Sequence, residues 1–330
     1  MNVFLVTSPL QYICALEAKQ YFNCKNNILL LVKQTSKQGI LQQDKLLDHN
    51  DWQHVIILER NSRSIVVPKG IKKVKAILNG AAIEHFFYAE YNAWRTKLLI
   101  RNLDIKKEVY FDDGTLTLLE YEYYIKPQKA FHRPRFIHDL IVRLNGCKPV
   151  GLLPQSESLE IFSLFKIDST TVHCHENRLT RLQEHYGYPQ LFNSTAPIGF
   201  IGQGAIGDKY QQSVDDYVTE LFNLAKKLNK KILYFPHRTE NEKVKAILIA
   251  SDHIIYHQSE FPLEIELIDK GIQLSALIGT FSTVMFTCRI LSSEIPLYSL
   301  SYTHPDKELD KVIREEMGRV GVLNFNSNSN

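Results

Sequence analysis

The sequence predicts an α/β protein of two tandem domains, each a parallel sheet covered by helices, and three observations point there. The chain has 330 residues, 44% of them hydrophobic and 23% charged, which is enough for two globular domains with separate cores. Short β-rich runs alternate with helix-like stretches twice over, on either side of a polar segment, as βα units of a parallel sheet do. Several runs, such as Ile28-Leu29-Leu30-Leu31-Val32, are apolar throughout rather than alternating. Strands covered on both faces have that character.

In the first half, strands are expected at 3–6, 28–32, 55–58, 85–88 and 108–111, with helices over 10–22, 38–47 and 93–102. After Pro197 a second series begins: strand 198–201, helix 213–228 with Ser213 as N-cap, strand 231–235 and helix 240–250. Strand 254–257, helix 262–270, strand 276–280 and a further helix complete it. The stretch 181–196, with Gly187, Pro189, Asn193 and Ser194, reads as a linker. The expected domains are therefore 1–185 and 196–305, with a closing helix and tail over 306–330. There is no internal repeat, and low complexity is confined to the Asn/Ser tail after Phe325.

Composition narrows the function. A net charge of +3 is too small for a nucleic-acid binder. No apolar run approaches the roughly 18 residues that span a bilayer. The opening Met1-Asn2-Val3-Phe4-Leu5-Val6 lacks a basic region and reads as a first strand rather than a signal peptide. Cys14, Cys24, Cys147, Cys174 and Cys288 are scattered, with no CxxC pair, so a reduced, cytoplasmic setting is expected. Local charge stands out between Lys126 and Lys148, where Lys129, Arg133, Arg135, Arg143, His132 and His138 surround Phe131 and Phe136. The plain reading is a solvated helix face. The sharper one is a patch for anionic lipid headgroups or an anionic glycolipid, at the inner face of the cytoplasmic membrane.

Gly202-Gln203-Gly204-Ala205-Ile206-Gly207 matches a dinucleotide fingerprint after a strand. In that fingerprint the helix starts within the motif, to receive a pyrophosphate. Here Asp208 to Gln212 intervene, and the next strand ends in Pro236-His237 rather than an acid for a ribose. NAD or FAD binding is therefore not expected, although the loop can still cradle a nucleotide.

Ligands of open parallel sheets sit beyond the carboxyl ends of strands, and four segments there carry chemistry. Asp112-Asp113-Gly114 follows a strand. Adjacent carboxylates raise one another's pKa, which suits a general base, although a capped turn would also use these residues. His237 and Arg238, just past a later strand, suit a phosphate; the alternative is an exposed loop. Glu264 begins a helix, where a carboxylate is favoured by the dipole in any case, but it could accept from ribose hydroxyls. Phe281-Ser282-Thr283 starts another helix, offering two hydroxyls and free N–H groups to an anion, or a plain N-cap.

In their order, these residues resemble bacterial sialyltransferases, especially the lipooligosaccharide sialyltransferase group (glycosyltransferase family 52). Thr7-Ser8-Pro9-Leu10-Gln11 is similar to that group's opening turn, and Phe200-Ile201-Gly202-Gln203 is similar again. Asp112-Asp113-Gly114 resembles the acidic motif that supplies the base, His237 the phosphate-contacting histidine, and Ser282-Thr283 the hydroxyl pair. Glu264 resembles the ribose-binding glutamate. Residue 238 is Arg where the histidine motif has Pro, and this departure bears on which nonulosonic acid is used.

The resemblance implies two Rossmann-like domains in the GT-B arrangement, with the last helix crossing back to the first domain. It implies inverting, metal-independent transfer from a CMP-nonulosonic acid, with no cofactor and an oligosaccharide or glycolipid acceptor. The base would be Asp112, or less readily Asp113. His237 would hold the phosphate, and Gly202, Gln203, Gly204, Arg238, Glu264, Phe281, Ser282 and Thr283 would line the donor site. A homodimer is among the expected assemblies. The other readings are a GT-B transferase using another nucleotide sugar or a CDP-alcohol, or a silent glycan- or nucleotide-binding module.

Overall fold

A computed structural model describes residues 1–204, 206–208, 212–300 and 306–325; the Asn/Ser tail lies outside the described residues. The chain divides into two compact units between Arg181 and Leu182.

The first unit runs β1 (Asn2–Val6), α1 (Pro9–Tyr21), β2 (Asn27–Val32), α2 (Lys37–Leu46), β3 (His54–Leu58), α3 (Arg63–Leu78) and β4 (Ile83–Tyr88). It continues with α4 (Trp94–Asn102), β5 (Ile105–Phe111), α5 (Leu116–Glu120), α6 (Phe136–Leu144), β6 (Leu159–Ser163) and β7 (His173–Glu176). The sheet order is β3-β2-β1-β4-β5-β6-β7, and every pairing is parallel. β1 and β2 are buried along their whole length, as their unbroken apolar sequences require. On one face Val3, Leu30 and Phe86 pack with Val67 and Leu98. On the other, Phe4 stacks on Phe87 with centroids 4.2 Å apart.

The sequence gives no sign of α3, because Pro68 and Gly70 lie inside it. A proline within a helix removes one backbone bond, and here burial of Val67, Ile71 and Val74 offsets that loss. His173 and His175 lie on β7, their rings on one side with centroids 4.3 Å apart.

α7 (Thr180–Tyr186) spans the boundary, so the first third of the expected linker is helical. The second unit then runs β8 (Ile198–Ile201), α8 (Val214–Leu228), β9 (Ile232–Phe235), α9 (Glu242–Ile249), β10 (Ile254–Tyr256) and α10 (Leu263–Asp269). It closes with β11 (Ala276–Gly279), α11 (Thr283–Leu291), β12 (Leu297–Ser299), α12 (Lys307–Arg319) and β13 (Leu323–Asn324). Its sheet order is β10-β9-β8-β11-β12-β13, again parallel throughout. Ser213 caps α8 by accepting from Asp216 N, as its sequence position suggests. Arg289 ties the end of α12 down, donating from Nε to Val320 O at 2.9 Å.

In each unit the strand order reverses once, between β1 and β4 and between β8 and β11. Loops leaving the carboxyl ends of those strands flank a crevice, the usual seat of ligands in such sheets.

Candidate active site

In the first unit the site grows from the turn after β1. Ser8 is the N-cap of α1, its Oγ accepting from Gln11 N at 3.3 Å, and Pro9 occupies the first helical position, where its missing N–H is not needed. Gln11 folds back from the third position. Its Oε1 accepts from Thr7 N at 2.7 Å, and its Nε2 donates to Asp113 Oδ1 at 2.7 Å. A side-chain amide can do both, accepting at its oxygen and donating from its nitrogen.

The two aspartates after β5 are not equivalent. Asp112 is fully buried. Its Oδ1 accepts from Ser163 Oγ at 2.6 Å and its Oδ2 from Leu164 N at 2.7 Å, so it stitches the end of β5 to the end of β6. Burial pushes its carboxyl up to about 7, against these bonds and one from Thr117, while the charge of Asp113 adds to the rise. Asp113 is half-buried, and its N–H donates to Thr117 Oγ1 at 3.0 Å. Gly114 follows at φ +68, a left-handed turn that glycine makes without strain and that leads the chain into α5. Asp112, the carboxylate favoured from sequence, thus has both oxygens engaged and is fully buried, while Asp113 is half-buried.

Two more residues of this unit carried no signal in the sequence. Glu90, beyond β4, accepts from Thr7 Oγ1 at 2.9 Å. Arg95, in the first turn of α4, is buried, and its Nη1 has no bonding partner among the described residues. Burial holds its pKa down to about 10, with the charge of Glu90 acting the other way.

In the second unit the glycine loop and the histidine come together. Gly202 N donates to Phe235 O at 2.8 Å, and a Cβ on Gly204 would lie 2.8 Å from Cε1 of His237 and 2.5 Å from Thr239 Oγ1. Only glycine lets the backbone pass so near the ring. His237 Nδ1 accepts from Thr239 N at 3.2 Å, which leaves the ring proton on Nε2, facing away from that bond. The ring is exposed at its edge, yet the protein around it lowers its pKa, and the Arg238 cation adds to the effect. The turn itself is pinned by Glu240, which accepts from Tyr234 OH at 2.5 Å and also from Tyr256 OH.

Glu264 and Ser282, also predicted for the donor site, are both tied to α11. Glu264 is buried and accepts from Thr287 Oγ1 at 3.2 Å. Burial raises its pKa, with its own N–H and Thr287 opposing. Ser282 caps α11, its Oγ accepting from Val284 N at 3.3 Å, and Phe281 lies under the Arg314 guanidinium at 4.9 Å. Gln203 and Thr280, from the loops after β8 and β11, line one cavity of about 380 Å³ with Phe200 and Tyr217. The glycine loop does not open a helix: α8 begins at Val214, well after Gly207. Among the described residues no group of three His, Cys, Asp or Glu side chains is placed to hold a metal ion.

No protein-family model matches the sequence, and no curated protein matches it. Solved structures do. The UDP-GlcNAc 2-epimerase of Methanocaldococcus jannaschii, in complex with UDP-GlcNAc and UDP, is similar with a TM-score of 0.55 at 10% identity, over 99% of this chain and 90% of that one. The α/β-galactoside α-2,3-sialyltransferase of the luminous marine bacterium Photobacterium phosphoreum is similar with a TM-score of 0.53 at 13% identity, over 98% and 97%. The fold is GT-B. Identities this low speak for the fold alone, and a GT-B frame hosts many reactions, so the substrate has to be argued from the site residues.

Proposed function

We propose that the protein is an inverting glycosyltransferase that moves sialic acid, or a related nonulosonic acid, from a CMP donor to a cell-surface glycan such as lipooligosaccharide or capsule. The observation that carries this reading is the aspartate pair after β5: one carboxylate is fully buried and bonded to the end of β6, while Gln11 holds the other at a half-buried position. A binding module has no use for a positioned carboxylate of this kind, whereas a hydroxyl nucleophile needs one.

In this reading Asp113 takes the proton of the acceptor hydroxyl. The acceptor oxygen attacks the anomeric C2 from the face opposite CMP, and the C2–O bond to phosphate breaks with its electron pair leaving on CMP. The protein around His237 holds its pKa below the usual value, and the ring serves as a hydrogen-bond donor from Nε2 to the phosphate. Ser282, Thr283 and the first turn of α11 supply further donors, and together these spread the charge of a monophosphate without a metal ion. Glu264 would receive the ribose hydroxyls in exchange for its bond to Thr287.

A second reading, another nucleotide sugar as donor, has one observation in its favour: the similarity to the epimerase bound to UDP-GlcNAc and UDP. Thermal shift with CMP, CDP, UDP and NAD separates the two, since only a nucleotide that binds the folded state raises the melting temperature. Stabilisation by CMP, followed by transfer of sialic acid to a lactoside in the presence of EDTA, is expected. Stabilisation by UDP and not by CMP would replace the donor.

A further inference from the structure

Helix α6 is covered on one side only. Val142 is fully buried, whereas Phe136, Ile137, Leu140 and Leu144 are 86%, 74%, 56% and 79% exposed. Positions 136, 140 and 144, with 137 beside them, fall on one face of a helix. An apolar face of this size, left open to water, marks an interaction surface.

The surroundings are basic and largely unneutralised. From Lys126 to Lys148 there are six Lys and Arg residues and one carboxylate, Asp139; that carboxylate accepts from Arg135 N at the cap of its own helix, and of the six cations Lys126 pairs with Glu122, just before the stretch, at 2.8 Å. At the end of α6 a cavity of about 400 Å³ is lined by Lys75, Arg101, Arg143 and Lys148, with no carboxylate in its wall. Asn102 braces it, accepting from Lys148 N at 2.7 Å and donating to Lys148 O at 2.8 Å. Lys75, Arg101 and Arg143 stand in last helical turns, where the helix dipole favours cations. That accounts for each cation singly, and not for their convergence on one acid-free cavity beside an apolar face.

We propose that this face docks on an anionic lipid surface, with Phe136, Ile137, Leu140 and Leu144 entering the acyl boundary, cations on the headgroups, and the cavity receiving one headgroup phosphate. A protein partner would cover the apolar face without requiring unneutralised cations around it. A soluble polyanion would use the cations and leave the apolar face wet. An anionic bilayer uses both. Among the described residues no helix is long and apolar enough to cross a membrane, so the contact is with the surface. The proposal stands whichever nucleotide sugar the second unit binds.

The test is sedimentation of the full chain with vesicles of phosphatidylcholine, alone or mixed with phosphatidylglycerol, at low and high salt. Wild type is expected to sediment with the mixed vesicles and poorly with the neutral ones. Ile137→Glu combined with Leu140→Glu changes only exposed positions, and its fold is checked by circular dichroism. It should weaken binding at least about tenfold at every salt concentration. Arg143→Glu with Lys148→Glu should weaken binding most at low salt, where screening is least. Binding unchanged in the Ile137/Leu140 variant would overturn the proposal. So would a dimer that this variant splits in light scattering while vesicle binding persists, since the stripe would then be a contact between copies of the chain.

Discussion

Gln11 and Asp113 are joined by a 2.7 Å hydrogen bond across 102 residues of sequence, Nε2 to Oδ1. The bond links the turn after the first strand to the turn after the fifth, and it singles out one of two adjacent carboxylates. Asp113→Asn should therefore cut transfer by about 10²–10⁴-fold, the usual worth of a general base, with CMP affinity by calorimetry nearly unchanged. Asp112→Asn should act on stability more than on turnover. An inactive Asp112→Asn beside an active Asp113→Asn would reverse the assignment, and full activity in both would reduce the pair to a turn.

Gln11 is a positioning residue, so its variants should move the pH profile as well as the rate. Gln11→Glu has the same shape but sets a second carboxylate against Asp113, which raises the pKa of the base. The acid limb of the kcat profile should shift to higher pH, while Gln11→Ala should lower kcat with a smaller shift. Identical pH profiles for wild type and Gln11→Glu would contradict this role.

In the proposed mechanism His237 holds phosphate in the ground state and more strongly as charge develops, so His237→Ala should lower both CMP affinity and turnover, the latter by about 10²–10³-fold. Gly204→Ala should reproduce part of that loss, because its methyl would be forced against the His237 ring and Thr239. The pairing is informative because Gly204 has no side chain to contribute. Normal CMP binding in Gly204→Ala would mean that the ring moves aside freely.

Stability should depend on pH through buried carboxyls, with opposite signs for raised and lowered groups. Asp112 is pushed up to about 7 from 3.8, and Glu120, which accepts from Tyr91 N and Asn92 N, to about 7 from 4.5. For a raised acid the folded state keeps a proton that the unfolded chain has lost. Its contribution is therefore greatest at low pH, falls as pH rises between those values, and is level above them. Glu266 goes the other way, held down to about 2 with bonds from His257, Lys270, Phe261 and Glu260 opposing its burial; its contribution is present above 4.5 and lost as pH falls towards 2. In urea titrations, the advantage of wild type over Asp112→Asn should be larger at about pH 5 than at about pH 7.5. A constant difference would show that Asp112 does not titrate in that window.

Much of the frame was legible in the sequence, and the exceptions have physical causes. β1, β2 and β8 announce themselves as apolar runs, and Ser213 marks the start of α8. Pro68 and Gly70 hide α3, whose stability comes from packing that no local pattern records. β12 and β13 have three and two residues, too short for any periodicity. The aspartate pair was visible, but its division of labour was not: the groups that bury Asp112, Ser163 and Leu164, lie 51 and 52 residues downstream. Gln11 stands out in the sequence only as the end of the opening turn, while its bond to Asp113 is a matter of strand order. His237 and Gly204 were each singled out, and only the side-by-side placement of β8 and β9 brings the ring against the glycine.

The first sheet is complete at Glu176, whereas the second is finished only by β13, where Phe325 N also donates to Ser299 O at 2.7 Å. During synthesis the first unit therefore has all seven of its strands before the second has made any of its own, and amino-terminal units commonly fold as they emerge. α6 belongs to that early unit. A ribosome still translating the second unit would already carry a folded first unit with its apolar helix face, so the proposed contact with a bilayer could form before the half proposed to bind the nucleotide sugar exists.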